Sequence, residues 1–169
     1  MLEYHDREWG HALRGDVALY ERMSLEAFQS GLSWAIILRK REGFRAAFAG
    51  FDPEVVAAYG PDDVARLLAD AGIVHNRLKI EATIHNARTL VDLGTSFSDL
   101  LWSFAPDDHS APQRLADVPA TTPESIAMAK DLKRRGFRFV GPTTAYALMQ
   151  ASGMVNDHLA GCAFRRPAP

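Results

Sequence analysis

Nearly every apolar stretch of this sequence repeats with the period of an α-helix and ends at glycine or proline. The segment 76–94, NRLKIEATIHNARTLVDLG, is the longest of these repeats. Patterns that alternate apolar and polar residues, which are typical of β-strands, are almost absent. The sequence therefore predicts an all-α fold, a compact multi-helix domain. Further helices are predicted at 16–31, 33–51, 52–60, 61–72, 96–104, 121–136 and 142–153.

Two of the predicted helices place their apolar residues on one side. The first should begin with Asp16 as its N-cap, because an aspartate there can accept from free backbone N–H groups. The proline-bearing stretch 105–122 that comes later is predicted to be a long loop. The residues expected to point inward are Val17, Leu19, Tyr20, Met23 and Phe28 in the first helix and Ile36, Ile37, Phe44 and Phe48 in the second.

The length and composition fit one globular domain. A chain of 169 residues, 47% hydrophobic and 24% charged, can bury its own core, so we expect a single domain over 1–169 and a monomer. The single cysteine, Cys162, cannot form an internal disulfide, which indicates a reducing compartment, by default the cytoplasm. No apolar run approaches the roughly 18–20 residues that span a bilayer, so no membrane association is expected.

Basic residues cluster around a predicted helix-loop-helix, although the whole chain carries a net charge of −2. In RRGFRFVGPTT (134–144), Gly136 suits the position after the first helix, and Gly141 precedes a proline that begins the second. The backbone N–H groups of Gly141, Thr143 and Thr144 would lie at the positive end of a helix dipole, which favours phosphate. The segment predicts either a DNA-gripping hairpin or an ordinary turn with solvated basic side chains.

Two segments hold aromatic and acidic residues that core packing does not require. They are YHDREWG, which contains Tyr4 and Trp9, and LEAFQSGLSW, which contains Glu26 and Trp34. Flat aromatic rings can stack on a nucleobase, and a carboxylate can accept from its amine or balance a cationic ring. The alternatives stay open at this point: Trp34 can be a core residue, and Glu26 can be a surface or capping acid.

A candidate metal site comes from VNDHLAGC. His158 and Cys162 lie four residues apart, so on a helix they would share one face, as paired metal ligands must. His5 is the best third candidate, because it lies among unusual polar residues near the N-terminus. A structural zinc takes four nitrogen or sulfur ligands and no fourth is visible, so an inert or nucleophilic thiol stays an alternative for Cys162. The other histidines, which fit surface or loop positions, are His11, His75, His85 and His109.

Several blocks of the sequence form a recognisable series. They are YHDREWG, LEAFQSGLSW, FDP, DAGIVHNRLKI, RRGFRFVGPT and MVNDHLAGC. From residue 4 to about 165 the chain resembles the 3-methyladenine DNA glycosylase I family, which has these blocks in this order and spacing. The resemblance implies an all-α member of the helix-hairpin-helix glycosylase superfamily. It also implies a base-excision repair enzyme that flips 3-methyladenine out of alkylated duplex DNA and hydrolyses its N-glycosidic bond.

The resemblance also implies roles for the candidate residues. Glu26 would hydrogen-bond the methylated base and Trp34 would stack on it, while Tyr4 and Trp9 would help to line the pocket. With no lysine at an obvious nucleophile position in or beside the hairpin, we expect no lyase step. The elements implied to contact DNA are Gly31 and Leu32, facing the gap left by the flipped base, and the hairpin Gly136, Gly141, Thr143 and Thr144.

The resemblance assigns a structural zinc to His5, His158 and Cys162, which would tie the two ends of the chain together. One departure matters, because the fourth ligand of the family is a cysteine upstream of the YHD motif, beyond the start of this sequence. A start codon placed too late, a cut chain or a variant site would each explain it, and we expect a truncated N-terminus. For this chain the expectation is weakened or absent zinc and a looser N-terminal segment.

Two other functions fit the residues taken without the resemblance. One is a non-enzymatic DNA-binding module that uses the hairpin and no pocket, which would release no base from methylated DNA. The other is a small metal-binding helical protein, which would show no salt-dependent DNA binding.

Overall fold

The computed structural model describes residues 1–165 and contains nine α-helices, two short 3₁₀ turns and no β-strand within that range. The all-α prediction is confirmed, and every predicted helix forms. None of the helices in the described range is both long and apolar enough to cross a membrane. The helices are α1 (Leu2–Arg7), α2 (Asp16–Gln29), α3 (Trp34–Ala47), α4 (Pro53–Ala57), α5 (Pro61–Ala69), α6 (Arg77–Val91), α7 (Phe97–Trp102), α8 (Pro123–Arg134) and α9 (Pro142–Ala151).

The first helix, α1, has no counterpart among the predicted helices. Its six residues are mostly polar, and Tyr4 is the single one that is buried. A helix this short gains its stability from packing against the rest of the protein rather than from its own sequence. Sequence periodicity therefore gives no signal for it.

Helix α2 lies at the centre of the domain, where it packs against α3, α6, α7 and α9. Its apolar stripe points inward as predicted, except that Val17 is 47% exposed. At 100° per residue Val17 lies about 200° around the helix from the fully buried Leu19, so it faces solvent. Asp16 is also not the N-cap, because Gly15 holds that position. The Asp16 carboxylate instead accepts the backbone N–H of Ser98 at 2.8 Å, which ties α2 to α7.

Closely packed phenylalanines fill the core beside α2 and α3. The ring centroids are 4.6 Å apart for Phe28 and Phe44 and 5.5 Å apart for Phe48 and Phe51. The chain reaches Phe51 through a left-handed turn in which this residue has a φ of 60°. That conformation costs roughly 1–2 kcal/mol, and the complete burial of the Phe51 ring offsets it.

The predicted loop 105–122 forms, with one 3₁₀ turn, and passes over the C-terminal segment. Two contacts hold the loop there. The ring of His109 donates from Nε2 to Oδ1 of the buried Asp157 at 2.8 Å, and the carbonyl of Pro112 accepts from the N–H of Ala160 at 3.0 Å. His109 is thus a loop residue, as predicted, and also an anchor between distant parts of the chain.

Candidate functional site

Three helices bring Tyr4, Glu26 and Trp34 together in what we call the acidic-aromatic cluster. Glu26 on α2 is 6% exposed and Tyr4 on α1 is 7% exposed, so Glu26 is neither a surface nor a capping acid. Trp34 begins α3, and its ring centroid lies 5.4 Å from that of Tyr4. The buried indole Nε1 has no hydrogen-bond partner in residues 1–165. The cluster therefore offers a planar ring, a free donor and a carboxylate side by side.

The Glu26 carboxylate is costly to bury where it lies. Burial raises the pKa of Glu26 to about 7, and the positive charge of Arg22 opposes that rise. Within residues 1–165 no group donates a hydrogen bond to this carboxylate. A buried carboxylate without a partner is unfavourable, and such groups are found where a ligand completes the pairing.

An ion-pair network that the sequence patterns did not reveal surrounds Tyr4. Arg22 donates from Nη1 to the phenol oxygen of Tyr4 at 2.9 Å and from Nη2 to Oε2 of Glu8 at 3.3 Å. Arg41 on α3 grips both oxygens of Glu8, at 2.6 Å and 3.0 Å. Although burial opposes it, these two arginines hold the pKa of Glu8 below its ordinary value. The sequence gives one hint of this network, because Arg22 lies a single helical turn before Glu26 and so on the same side of α2.

Burial is also the main effect on the phenol of Tyr4. It raises the pKa of Tyr4, with Arg22 opposing and the nearby negative charge of Glu26 adding to the rise. The phenol therefore keeps its proton throughout the neutral range and can act as a hydrogen-bond donor.

His5, His158 and Cys162 form a second cluster, which we call the metal-donor cluster. Their candidate ligand atoms all lie within 4.8 Å of one another. The expectation that the last two share a helix face is wrong, because the chain after α9 runs through turns. A turn in which the N–H of Cys162 donates to the carbonyl of Leu159 at 2.8 Å returns the thiol towards His158. The meeting of the two ends of the chain comes from this turn and from α1.

Each histidine of the metal-donor cluster has an oxygen acceptor beside Nδ1. Nδ1 of His5 lies 2.8 Å from a carboxylate oxygen of Asp6, and Nδ1 of His158 lies 2.8 Å from Oδ1 of Asn156. A proton on Nδ1 of His5 can be donated to Asp6, which leaves Nε2 of His5 for a metal. Nε2 of His158 also lies 3.0 Å from the backbone carbonyl oxygen of His5, so a metal at this nitrogen would replace that contact. Burial lowers the pKa of His158 and so favours the neutral, ligating form. Two nitrogens and one thiolate sulfur fit zinc, and they supply three of its usual four ligands.

Trp9 lies beside the metal-donor cluster rather than against Trp34. Its ring centroid is 5.9 Å from that of His5 and 4.8 Å from that of His158. Together with these residues and Asp157 it lines an open cavity of about 510 Å³. The structure thus brings Tyr4, Glu26 and Trp34 into one cluster and Trp9 into the neighbouring one.

Asp157, the carboxylate next to His158, is fully engaged by protein groups. Its Oδ2 accepts from the hydroxyl of Tyr146 and from Nε2 of Gln150, both at 2.7 Å, and its Oδ1 accepts from His109. The side chain is 1% exposed. A carboxylate that accepts from three protein donors has little capacity left for a substrate.

Gly31 and Leu32 form a turn at the end of α2, in which Gly31 is exposed and Leu32 is half-buried against the core. The N–H of Leu32 donates to the carbonyl of Gln29 at 2.6 Å, and Gly31 has a φ of +83°, which only glycine adopts without strain. Lys79 on α6 holds the turn, because its buried ammonium donates to two backbone carbonyls at the end of α2, at 3.0 Å and 2.6 Å. The turn is therefore presented to solvent from a rigid base.

The α8–α9 connection has the predicted glycines at its two ends. Gly136, with a φ of +102°, donates to the carbonyl of Lys133, and Phe137 donates to that of Leu132, both at 3.0 Å. This pair of bonds is the Schellman motif that ends helices at glycine. Gly141 is the N-cap of α9, as predicted.

The start of α9 faces solvent with basic residues around it. In residues 1–165 no acceptor pairs with the backbone N–H groups of Gly141, Thr143 and Thr144. Beside them lies a groove of about 810 Å³, lined by Lys130, Lys133 and Arg138 and by apolar residues. The free N–H groups therefore lie at an exposed helix start, and their binding of phosphate stays a prediction. The apolar residues that line the groove are Ile126, Ala129, Phe137, Phe139, Val140 and Pro142.

The fold and these sites define a helical protein with a buried acidic-aromatic cluster and a basic helix-loop-helix. The chain belongs to the methyladenine glycosylase family, whose sequence profile matches residues 1–166. It is 46% identical over 166 residues to DNA-3-methyladenine glycosylase 1 of Escherichia coli K12, a match that covers 95% of this chain and 89% of that protein. It is 41% identical over 167 residues to DNA-3-methyladenine glycosylase of Haemophilus influenzae, with 95% and 90% covered.

Solved structures agree with the sequence relatives. A crystal structure of a 3-methyladenine DNA glycosylase I superposes with a TM-score of 0.92 at 46% identity and covers 96% of this chain and 92% of its own. A structure that describes 3-methyladenine recognition by the Staphylococcus aureus enzyme superposes with a TM-score of 0.94 at 34% identity and covers 98% and 91%. The fold is therefore that of the family over nearly the whole chain.

Proposed function

We propose that this protein is a base-excision repair enzyme that releases 3-methyladenine from alkylated duplex DNA by hydrolysing the N-glycosidic bond. The observation that carries the proposal is the Glu26 carboxylate, which is buried without a protein partner beside Tyr4 and Trp34. 3-Methyladenine in DNA is positively charged. A buried carboxylate without a protein partner can therefore be stabilised by this base, and the base by the carboxylate. Membership of the family supports the same substrate.

The residues of the acidic-aromatic cluster have separate roles in this proposal. The Glu26 carboxylate accepts a hydrogen bond from the base and balances its charge, which selects against neutral adenine. Trp34 stacks on the base after it leaves the DNA helix, and Tyr4 lines its surroundings. Trp9 lies beside the metal-donor cluster and borders the site from there. Flipping costs a few kcal/mol and is easiest for a damaged base.

The chemical step needs little acid catalysis, because a cationic base is already a good leaving group. Water attacks C1′ as the bond from C1′ to N9 breaks, the bond's electron pair neutralises the base, and the water proton passes to solvent. The enzyme is monofunctional, without a lyase step. This is supported by Lys79, the buried lysine, whose ammonium is engaged by two backbone carbonyls and is not free to attack C1′.

Two exposed loops bind the DNA. The α8–α9 connection acts as a helix-hairpin-helix element, in which the free N–H groups of Gly141, Thr143 and Thr144 hold a phosphate without reading sequence. The turn of Gly31 and Leu32 faces the gap that the flipped base leaves. The duplex therefore lies across both loops.

A structural zinc bound by His5, His158 and Cys162 is part of the proposal. The approach of the three candidate ligand atoms to within 4.8 Å of one another supports it, as does the carboxylate oxygen of Asp6 beside Nδ1 of His5. When bound, the ion supplies no chemistry to the reaction and fixes α1 against the C-terminal turns. Localisation in the cytoplasm, a single domain over 1–169 and a monomeric state stay predictions.

Glu26→Gln tests the proposed function. A hydrogen bond to a charged group contributes roughly 1.5–3 kcal/mol, so single-turnover release of 3-methyladenine from methylated DNA should fall on the order of tenfold to hundredfold. Circular dichroism should show an unchanged helical content.

Glu21→Gln is the matched control. Glu21 lies on the same helix and pairs with Arg45 at 2.8 Å, away from the cluster, so its loss should leave release near the wild-type rate. Near-normal release by folded Glu26→Gln would overturn the role of Glu26. DNA binding by the wild type without any base release would favour a non-enzymatic DNA-binding module.

A further inference from the structure

Arg22 occupies a position between the groups that would contact the base. It lies on α2, one turn before Glu26, and is 9% exposed. Its guanidinium lies 5.3 Å from the centroid of the Tyr4 ring, with Nη1 bonded to the phenol oxygen at 2.9 Å. A buried arginine that touches one proposed base contact and lies next to another can set the state of both.

The first consequence concerns the direction of the Tyr4 hydroxyl. A guanidinium has donors and no acceptor, so the phenol oxygen must be the acceptor in its bond with Arg22. The phenol proton then points elsewhere, and it has no acceptor among residues 1–165. Tyr4 is thereby kept as a donor that can bond to a bound base.

The second consequence concerns the charge on Glu26. The charged or titratable groups that act on this region are Tyr4 from α1, Glu8 directly after α1, Arg22 from α2 and Arg41 from α3. Of these, Arg22 is the group whose charge lowers the pKa of Glu26. Arg22 therefore favours the anionic form of the carboxylate, the form that is complementary to a cationic base.

Arg22 is itself held in place by a clamp. Its Nη2 donates to Oε2 of Glu8 at 3.3 Å, and Arg41 fixes both oxygens of that carboxylate. Two-point arginine–carboxylate pairs restrict orientation as well as distance. The clamp joins α1, α2 and α3 next to the acidic-aromatic cluster, and it uses no metal-donor residue.

We propose that Arg22 is a positioning residue for base recognition, which directs the Tyr4 hydroxyl towards the base and keeps Glu26 as an anion. The inference rests on the proposed function. Two substitutions distinguish the effect on the charge of Glu26 from the effect on the Tyr4 hydroxyl. Arg22→Gln removes the positive charge, whereas Arg22→Lys keeps the charge but loses the planar guanidinium that bonds to both Tyr4 and Glu8.

The test is the pH dependence of kcat/KM for 3-methyladenine release between pH 5.5 and 9, which reports ionisation in the free enzyme. For the wild type we expect activity to fall as Glu26 is protonated. In Arg22→Gln the acid limb should move to higher pH by about one unit, and kcat/KM at pH 7 should fall about tenfold or more. In Arg22→Lys the acid side of the pH profile should stay within about 0.3 pH units of the wild-type position, while KM rises about tenfold.

Arg45→Gln is the matched control, because it removes another arginine that joins α3 to α2, through Glu21. Its pH profile and KM should equal those of the wild type. A wild-type acid limb in folded Arg22→Gln would overturn the inference. If that variant does not fold, an unchanged KM in folded Arg22→Lys would overturn it. Absence of any release by the wild type would instead refute the proposed function.

Discussion

Replacing Glu26 by glutamine should stabilise the folded protein at alkaline pH while it impairs base release. Burial raises the pKa of Glu26 in the folded protein to about 7 from an ordinary value of 4.5. At about 1.36 kcal/mol for each pKa unit, the ionised side chain costs the fold about 3 kcal/mol. The sign follows from the raised pKa: the full cost applies above pH 7, shrinks as the pH falls from 7 to 4.5, and is absent below that range.

The measurement is the free energy of unfolding by urea at pH 8 and at pH 5, for the wild type and Glu26→Gln. We expect the variant to be more stable by about 3 kcal/mol at pH 8, with most of the difference gone at pH 5. Taking the difference between the two proteins removes the contribution of every other titrating group.

Glu21→Gln again provides the control, because it removes a carboxylate from the same helix but breaks an ion pair. It should be less stable than the wild type at pH 8, by no more than about 1 kcal/mol. A Glu26→Gln protein that is less stable at pH 8, or whose advantage is the same at both pH values, would refute the assignment of an unpartnered buried carboxylate.

Three further outcomes follow from the contacts. Lys79→Met should lower the free energy of unfolding by about 2–3 kcal/mol, because a buried and a part-buried backbone carbonyl lose a charged donor. Lys40→Met, which loses one exposed bond to a carbonyl, should cost less than about 1 kcal/mol. Gly10→Ala should weaken zinc binding about tenfold or more in a chelator competition, because its Cβ would lie 3.0 Å from a metal-donor histidine. Gly94→Ala, with nearly the same φ and open space around it, should leave zinc affinity unchanged. Asp157→Asn should lower the melting temperature and leave base release per folded molecule within several-fold, and a hundredfold loss of release would show that Asp157 acts in the reaction.

Many residues of the site could be predicted from the sequence, because residue types and short spacings can be recognised without knowing the fold. The residues of the acidic-aromatic cluster, the three metal donors and the glycines of the hairpin were all candidates before the structure. The identity of Arg22 as a partner of Tyr4 was not, and neither was the clamp between Glu8 and Arg41. Those pairs lie 18 and 33 residues apart in the chain, and no short-range pattern encodes which side chains meet across helices.

The sequence by itself determined eight of the nine helices in residues 1–165 and the family. Helical periodicity, capping residues and glycine stops act over three or four residues, so each can be recognised without knowing the fold. Only the tertiary structure decided that Glu26 is buried without a partner, because its burial requires α1 and α3 to close over α2. It alone decided that His5 meets His158 across 153 residues and that a turn, not a helix, supplies Cys162. Burial and charge pairing depend on which distant surfaces pack together, and that is the property a linear pattern does not contain.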